Sequence, residues 1–378
     1  MGLVALALYV HWPWCVHKCP YCDFNSRSGL FRIDETRYIA ALLADLGQAA
    51  RDLQRPVTSV FFGGGTPSLM SKEGFDALMR GIRERVLLAD DAEVTLEANP
   101  GTVTEETLAA YAKSGVNRLS LGVQSFNAEA LAFLGRIHTA SQARQAVRWA
   151  KNTFPHVNID MMYALSGQTL SSLREDAEEA VSCGTDHLSY YELTIEPGSV
   201  FFKRPPEGLP DADLAGDMAD CIEDMTAKAG FEHYEVSAYA KAGCRCRHNM
   251  TYWTYADYLA VGAGAHAKIT HPDGSIFREV RAKSPMRYMA DVESGKFILK
   301  RCRVRPEDMP FEFMLNVLRL REGVSQARWS EATGLPFSVI ARKVEALQRE
   351  GLMAEGERLV ATALGRRFLN ALQERFLP

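Results

Sequence analysis

Cys15, Cys19 and Cys22 crowd into the eight residues Cys-Val-His-Lys-Cys-Pro-Tyr-Cys. Three thiolates at CxxxCxxC spacing on one short loop can hold three irons of a [4Fe–4S] cluster. An electron-transfer cluster usually takes four cysteines. Three ligands leave one iron open, and an open iron is a place to bind a reactant. Zinc is the competing occupant, with His11 or His17 as its fourth ligand. Its usual cysteine pairs, however, are separated by a long loop. The spacing favours the cluster.

Two further segments carry chemistry. Gly63-Gly64-Gly65-Thr66-Pro67 follows the apolar run SVFF. Glycines there let backbone amides approach a ligand and leave room where side chains would stand. The second is His248-Asn249-Met250-Thr251-Tyr252-Trp253, with Tyr255 and Tyr258 close behind and Arg245 and Arg247 before it. This neighbourhood suits a porphyrin. An imidazole can bind the iron, aromatic rings offer flat apolar surface, and arginines can meet propionates. A satisfied structural histidine is the alternative. Cys244-x-Cys246-x-His248 is too tightly spaced for a usual zinc site. The isolated Cys183, Cys221 and Cys302 read as small buried hydrophobes.

The chain that must position these groups has 378 residues, 47% apolar and 24% charged, with 28 Gly and 16 Pro. Those proportions exclude disordered and low-complexity classes and predict one large domain plus a smaller one. Lys and Arg number 43 against 47 Asp and Glu, a net charge of −4, so a polyanion is not the expected partner. Eight cysteines, three of them crowded together, indicate a metal centre in a reducing compartment rather than a disulfide scaffold. No run reaches the ~18 apolar residues of a membrane span. The opening MGLVALALYV lacks a basic leader and a small-residue cleavage site, so it is read as a buried strand in a cytoplasmic protein.

Residues 3–12 are continuously apolar, as in a parallel strand covered on both faces. Further strand-like runs are Val57–Phe62, Glu93–Glu97, Arg118–Val123, Val157–Met162 and His187–Leu193. Helical periodicity fills the gaps at Thr36–Leu53, Lys72–Val86, Glu105–Ser114, Ser141–Asn152 and Leu170–Ser182. Six strand–helix units predict an α/β protein with a partial (βα)6 barrel over 1–205, with an open doubly wound sheet as the competing topology. The polar candidates collect at or near the carboxyl ends of these strands, where barrel enzymes build their sites. Residues 206–304 are read as an extension carrying the His248 segment. Residues 305–378 are read as a smaller α+β module resembling a winged helix, with helices at Phe311–Leu320, Gln326–Thr333 and Ser338–Glu350 and a hairpin at Leu352–Leu364. Its 11 basic and 10 acidic residues argue for packing rather than nucleic-acid binding.

The cysteine loop with Tyr21 before its third cysteine, joined to Gly63–Pro67 after the second strand, resembles the radical S-adenosylmethionine (SAM) superfamily. The resemblance implies that the open iron chelates the amino and carboxylate groups of SAM. Reduction of the cluster then yields a 5′-deoxyadenosyl radical, the protein supplying orientation and electrostatics. Within the superfamily, Tyr9-Val-His11-Trp-Pro13-Trp-Cys15 is similar to the YxHxPxC start of the oxygen-independent coproporphyrinogen III dehydrogenase group, over nearly the whole chain. It places SAM contacts at Tyr9, Gly64, Gly65, Thr66, Glu97, Gln124, Arg136 and Asp160. Glu97 would take the ammonium, Arg136 the carboxylate, and Gln124 with Asp160 the ribose hydroxyls.

Two departures separate the chain from the dehydrogenases. Phe24 stands where they carry a further cysteine, and only eight residues precede Tyr9. Both features, with the match to an HNxxYW motif, resemble the sister family of haem chaperones, HemW. The implied function is binding haem at His248, Tyr252 and Trp253 and passing it to acceptor haemoproteins, with one SAM-ligated [4Fe–4S] cluster and an electron donor for it. The alternative is a coproporphyrinogen III dehydrogenase or another radical enzyme acting on a tetrapyrrole. A redox-sensing DNA-binding regulator is a third class, resting on the C-terminal helices alone.

Overall fold

The computed structural model describes residues 6–29, 34–51, 53 and 55–378. Residues 3–5 of the expected first strand and residue 52 of the expected first helix lie outside that set. The six expected strands are present: β1 (Leu6–Trp12), β2 (Val57–Gly64), β3 (Leu88–Ala98), β4 (Arg118–Gln124), β5 (His156–Tyr163) and β6 (His187–Glu192). They pair in chain order, every neighbour parallel. A doubly wound sheet would reverse direction around its first strand. This one does not. β1 and β6 each take a different outer neighbour instead of meeting, so the barrel is incomplete.

Helices α1 (Glu35–Ala49), α2 (Lys72–Arg85), α3 (Glu105–Lys113), α4 (Ala128–Phe133), α5 (Ala140–Thr153) and α6 (Leu170–Ser182) lie between the strands. Their starts are fixed locally. Asp34 and Ser71 accept from backbone amides of the first turns of α1 and α2, and Thr104, Thr139 and Thr169 form reciprocal capping boxes on α3, α5 and α6. Each such cap contributes about 1 kcal/mol. The strands divide their side chains by alternation. Leu119, Leu121, Val157, Ile159 and Leu188 join the fully buried core outside the barrel. Arg118, Ser120, Asn158, Asp160, His187 and Ser189 face the interior and line a cavity.

After β6 the sheet continues through residues 206–304, the expected extension that carries the His248 segment. A helix α7 (Ala212–Lys228) leads to the short strands β7 (Glu232–Glu235) and β8 (Ala238–Ala240) beside β6. Then α8 (Arg247–Trp253) precedes β9 (Asp257–Val261), β10 (His266–Thr270), β11 (Ile276–Val280) and β12 (Lys300–Arg303), which extend the other edge. β9 runs parallel to β1, and the rest are antiparallel. Buried charge disguised these strands. Lys268 and Asp257 form a 2.9 Å ion pair with both side chains at most 3% exposed. Arg281 meets the fully buried Asp45 at 3.2 Å.

From α10 (Met309–Val317) onward a second core forms around Phe313, Val317, Trp329, Ile340 and Leu347, with a helix α9 (Pro285–Glu293) preceding it. The expected helices are α11 (Gln326–Thr333) and α12 (Ser338–Arg349). The expected hairpin is reduced to a Met353–Ala361 bridge and a two-residue ladder between 324–325 and 358–359. The chain then returns in two short helices, the second burying Leu372, and Phe376 just beyond it is buried too. A bridge between Glu235 and Leu320 ties this module to the barrel.

Candidate functional site

The carboxyl ends of β1–β6 open into a cavity of about 740 Å3, within the size range of small-molecule sites. Cys15, Cys19 and Cys22 all line it, on the loop leaving β1. All three are free thiols and half-buried. Burial pushes the Cys15 and Cys22 thiols up, and hydrogen bonds from Thr66 and Ser26 oppose this at Cys15. Arg136 lies 3.4 Å from the Cys19 sulfur through Nη1, and Lys18 anchors the loop on the Phe24 carbonyl at 2.8 Å. Three thiols facing one space with two cations beside them are the donor set a cluster with one open iron requires. The residues fit the group.

The glycine run also has a packing cause. Gly64 (φ +111°) has the His11 ring 2.4 Å from where a Cβ would stand, and at Gly65 the Trp14 carbonyl is 2.6 Å away. The Gly64, Gly65 and Thr66 amides donate to Glu97 Oε2, the Trp12 carbonyl and the Trp14 carbonyl. These glycines let β2 approach the backbone that carries the cysteine loop. They line the cavity, but their amides are engaged within the protein.

Glu97, Gln124, Arg136 and Asp160 also line this cavity. Burial, reinforced by Asp160, raises the Glu97 carboxyl to about 8. Burial likewise raises Asp160 to about 6, against hydrogen bonds from Ser120 at 2.9 Å and Asn158 at 2.8 Å. Gln124 closes β4 with φ +70°, an uncommon conformation that turns the chain at the site. Arg136 gives Nη2 to the Gly122 carbonyl at 2.7 Å and keeps a buried, unpartnered Nε. Tyr9 faces an adjoining cavity of about 760 Å3, with His11, Tyr258 and the exposed His266. Its hydroxyl bonds His11 Nδ1 at 3.0 Å.

Helix α8 brings the His248 segment to the same cavity, although some 220 residues separate it from the cysteine loop. Tyr252 and Trp253 line the wall. His248 stands behind them, 1% exposed. Its Nδ1 meets Ser59 Oγ at 3.1 Å and its Nε2 meets the Tyr252 hydroxyl at 2.8 Å. Burial holds its pKa near about 3, so the imidazole is neutral. Iron ligation through Nε2 requires Tyr252 to release that bond. Arg245 and Arg247 do not face the cavity at all. They pair with Glu322 at 2.8 Å and Asp91 at 3.0 Å on the surface. Arg118 and Arg319 line the cavity in their place. Arg118, like Ser120, Asn158 and Ser189, was legible as every second residue of a strand turning polar. Arg319 had no sequence signal.

A partial parallel barrel with three cysteines beyond its first strand is the architecture of radical SAM proteins, and the radical SAM superfamily profile matches residues 9–180. The HemN C-terminal domain profile matches 304–368. The chain is 42% identical to a protein named heme chaperone HemW from Haemophilus influenzae, over 99% of this chain and 98% of that one. It is 41% identical to the protein of that name from Escherichia coli, over 99% of both. The E. coli coproporphyrinogen III oxidase HemN superposes with a TM-score of 0.84 over 99% of this chain and 90% of that one, at 22% identity. That last likeness concerns the fold. The chain belongs to the HemW family of radical SAM proteins.

Proposed function

We propose that this protein binds haem and transfers it to acceptor haemoproteins, with a SAM-ligated [4Fe–4S] cluster in the same cavity. The observation that carries this reading is the placement of Tyr252 and Trp253 on the wall of the cluster cavity, with neutral His248 directly behind. Ser59 on Nδ1 is the kind of second hydrogen bond that orients a metal-binding imidazole. The family relationship supports the same function. Among the described residues no helix is long and apolar enough to cross a membrane.

In this reading Cys15, Cys19 and Cys22 hold the cluster, which when bound supplies one-electron chemistry at SAM. Tyr9, Gly64, Gly65, Thr66, Glu97, Gln124, Arg136 and Asp160 surround SAM. Glu97 receives its ammonium, which sets a pH dependence. With its pKa at about 8, Glu97 is mostly protonated at pH 7 and must lose that proton to pair with the cation. SAM affinity therefore rises with pH, by up to about tenfold per unit, towards about 8, and falls above it as the SAM ammonium loses its own proton. Calorimetry in buffers of different ionisation enthalpy should show proton release on binding at pH 7. Glu97→Gln should bind SAM weakly and without this slope.

Delivery requires a reversible site. The cluster-loaded protein, preloaded with haem, should convert an apo-haemoprotein to its holo spectrum, faster than the same amount of free haem mixed with an inert protein. Haem that stays on the donor, or moves no faster than free haem, would remove delivery from the proposal.

A further inference from the structure

The inner end of the cavity carries hydrogen-bond donors that have no acceptor. Arg118, 2% exposed, gives Nε to Glu93 Oε2 at 2.8 Å and Nη2 to the Cys244 carbonyl at 2.9 Å. Its Nη1 is buried and unpartnered, as are the indole Nε1 of Trp253 and the Nε of Arg319. All three residues line the cluster cavity. The Arg319 guanidinium lies 4.2 Å over the Trp253 ring and gives Nη2 to Glu235 Oε2 at 3.1 Å. Three separate parts of the chain, β4, α8 and the C-terminal module, thus bring unpartnered donors to one cavity, with Arg319 and Trp253 in direct contact.

Buried donors are normally paired, and leaving them unpaired is costly. Each guanidinium already has a carboxylate, Glu93 or Glu235, so fixed charge is balanced. What is left over is donor capacity alone. That excludes a cation and favours a group that only accepts, of which a carboxylate, with about four lone-pair sites, is the fullest example. Position also selects the source. Arg118 opens β4 and Gln124 closes it, so the donors begin about 20 Å along the strand from the cluster end. SAM, tied to the cluster, has Arg136 at its own end.

We propose that Arg118, Trp253 and Arg319 form a subsite that holds a carboxylate of the tetrapyrrole cargo. This rests on the haem-binding reading above, and adds that the C-terminal module contributes directly to the cargo site through Arg319. The test compares haem with haem dimethyl ester, whose side-chain carboxylates are capped, by Soret titration of the cluster-loaded protein. Wild type should bind the free acid about tenfold or more tighter than the ester, the effect of a charge-assisted hydrogen bond. Arg319→Met should shrink that preference to about threefold or less and leave ester affinity in place, and Trp253→Phe, which keeps the ring on the wall but removes the indole N–H, should shrink it likewise. The double variant Glu235→Gln/Arg319→Met removes the ion pair as a unit and should behave like Arg319→Met. Full retention of the preference in all three would overturn the subsite. So would weakened SAM binding with the haem preference intact, because the carboxylate would then be SAM's. If wild type saturates with both porphyrins but prefers neither, the subsite fails and the haem reading stands. No saturable porphyrin site at all would remove both.

Discussion

Alanine at Cys15, Cys19 or Cys22 is expected to abolish the cluster outright, taking iron in anaerobically reconstituted protein from about four per chain to near zero. Each thiol is the sole ligand the loop brings to its iron, and the other cysteine lining the cavity, Cys246, stands on a different segment with its thiol turned to Glu93. The control pair makes the assignment specific. Cys244→Ala and Cys246→Ala should keep full iron content. Cys246 is buried with its thiol 3.4 Å from Glu93 Oε1, and Cys244 sits with His156 and Asp186 away from the loop. Loss of iron in these two and retention in the first three would place the cluster elsewhere.

The second large effect concerns the glycines, where packing and ligand room make different predictions. If Gly64 and Gly65 exist to leave space for SAM, alanine there harms SAM binding and leaves the unliganded fold intact. The geometry adds a cost to the fold itself. At Gly64 an alanine must hold φ near +111°, a backbone strain of order 1–3 kcal/mol, and displace the His11 ring 2.4 Å away. At Gly65 the obstacle is backbone, the Trp14 carbonyl at 2.6 Å and the Trp12 carbonyl at 2.9 Å, which cannot swing aside as a side chain can. Gly64→Ala and Gly65→Ala should each lose roughly 3 kcal/mol without any ligand, read as a lower urea midpoint of the SAM-free protein. Cluster yield should fall with it, because the displaced backbone carries Cys15. Gly63→Ala, whose nearest neighbours are the side chains of Phe61, Tyr9 and Glu97, should cost much less.

What the sequence made legible follows from how local each feature is. The six parallel strands were visible because burial on both faces makes them apolar runs, and caps such as Thr104 and Thr139 fix the helices between them. The polar candidates at strand ends were visible for the same reason, since a polar residue ending an apolar run stands out. β10 was hidden by Lys268, whose partner Asp257 stands on the neighbouring strand β9, and the end of β11 by Arg281, whose partner Asp45 comes from the distant helix α1. The arginine assignment failed likewise. Arg245 and Arg247 flank the His248 segment in sequence, yet they pair with Glu322 and Asp91. Arg319 reaches the cavity only because Leu320 bridges to Glu235. His248 reads as a candidate iron ligand with a satisfied structural histidine as the alternative, and both its ring nitrogens are engaged. No local pattern encodes such partners.

The central claim is a specific haem site, and an anaerobic haem titration of the cluster-loaded protein tests it most directly. The account predicts a saturable, defined Soret band at one haem per chain. In His248→Ala that band should shift and affinity should fall, because the variant removes the imidazole and the partner that holds Tyr252 at the cavity wall. A wild-type titration that never saturates, giving only the broad spectrum of adsorbed haem, would contradict the account. Equal spectra and affinity in His248→Ala would move the ligand away from His248, with the exposed His266 of the adjoining cavity next in line.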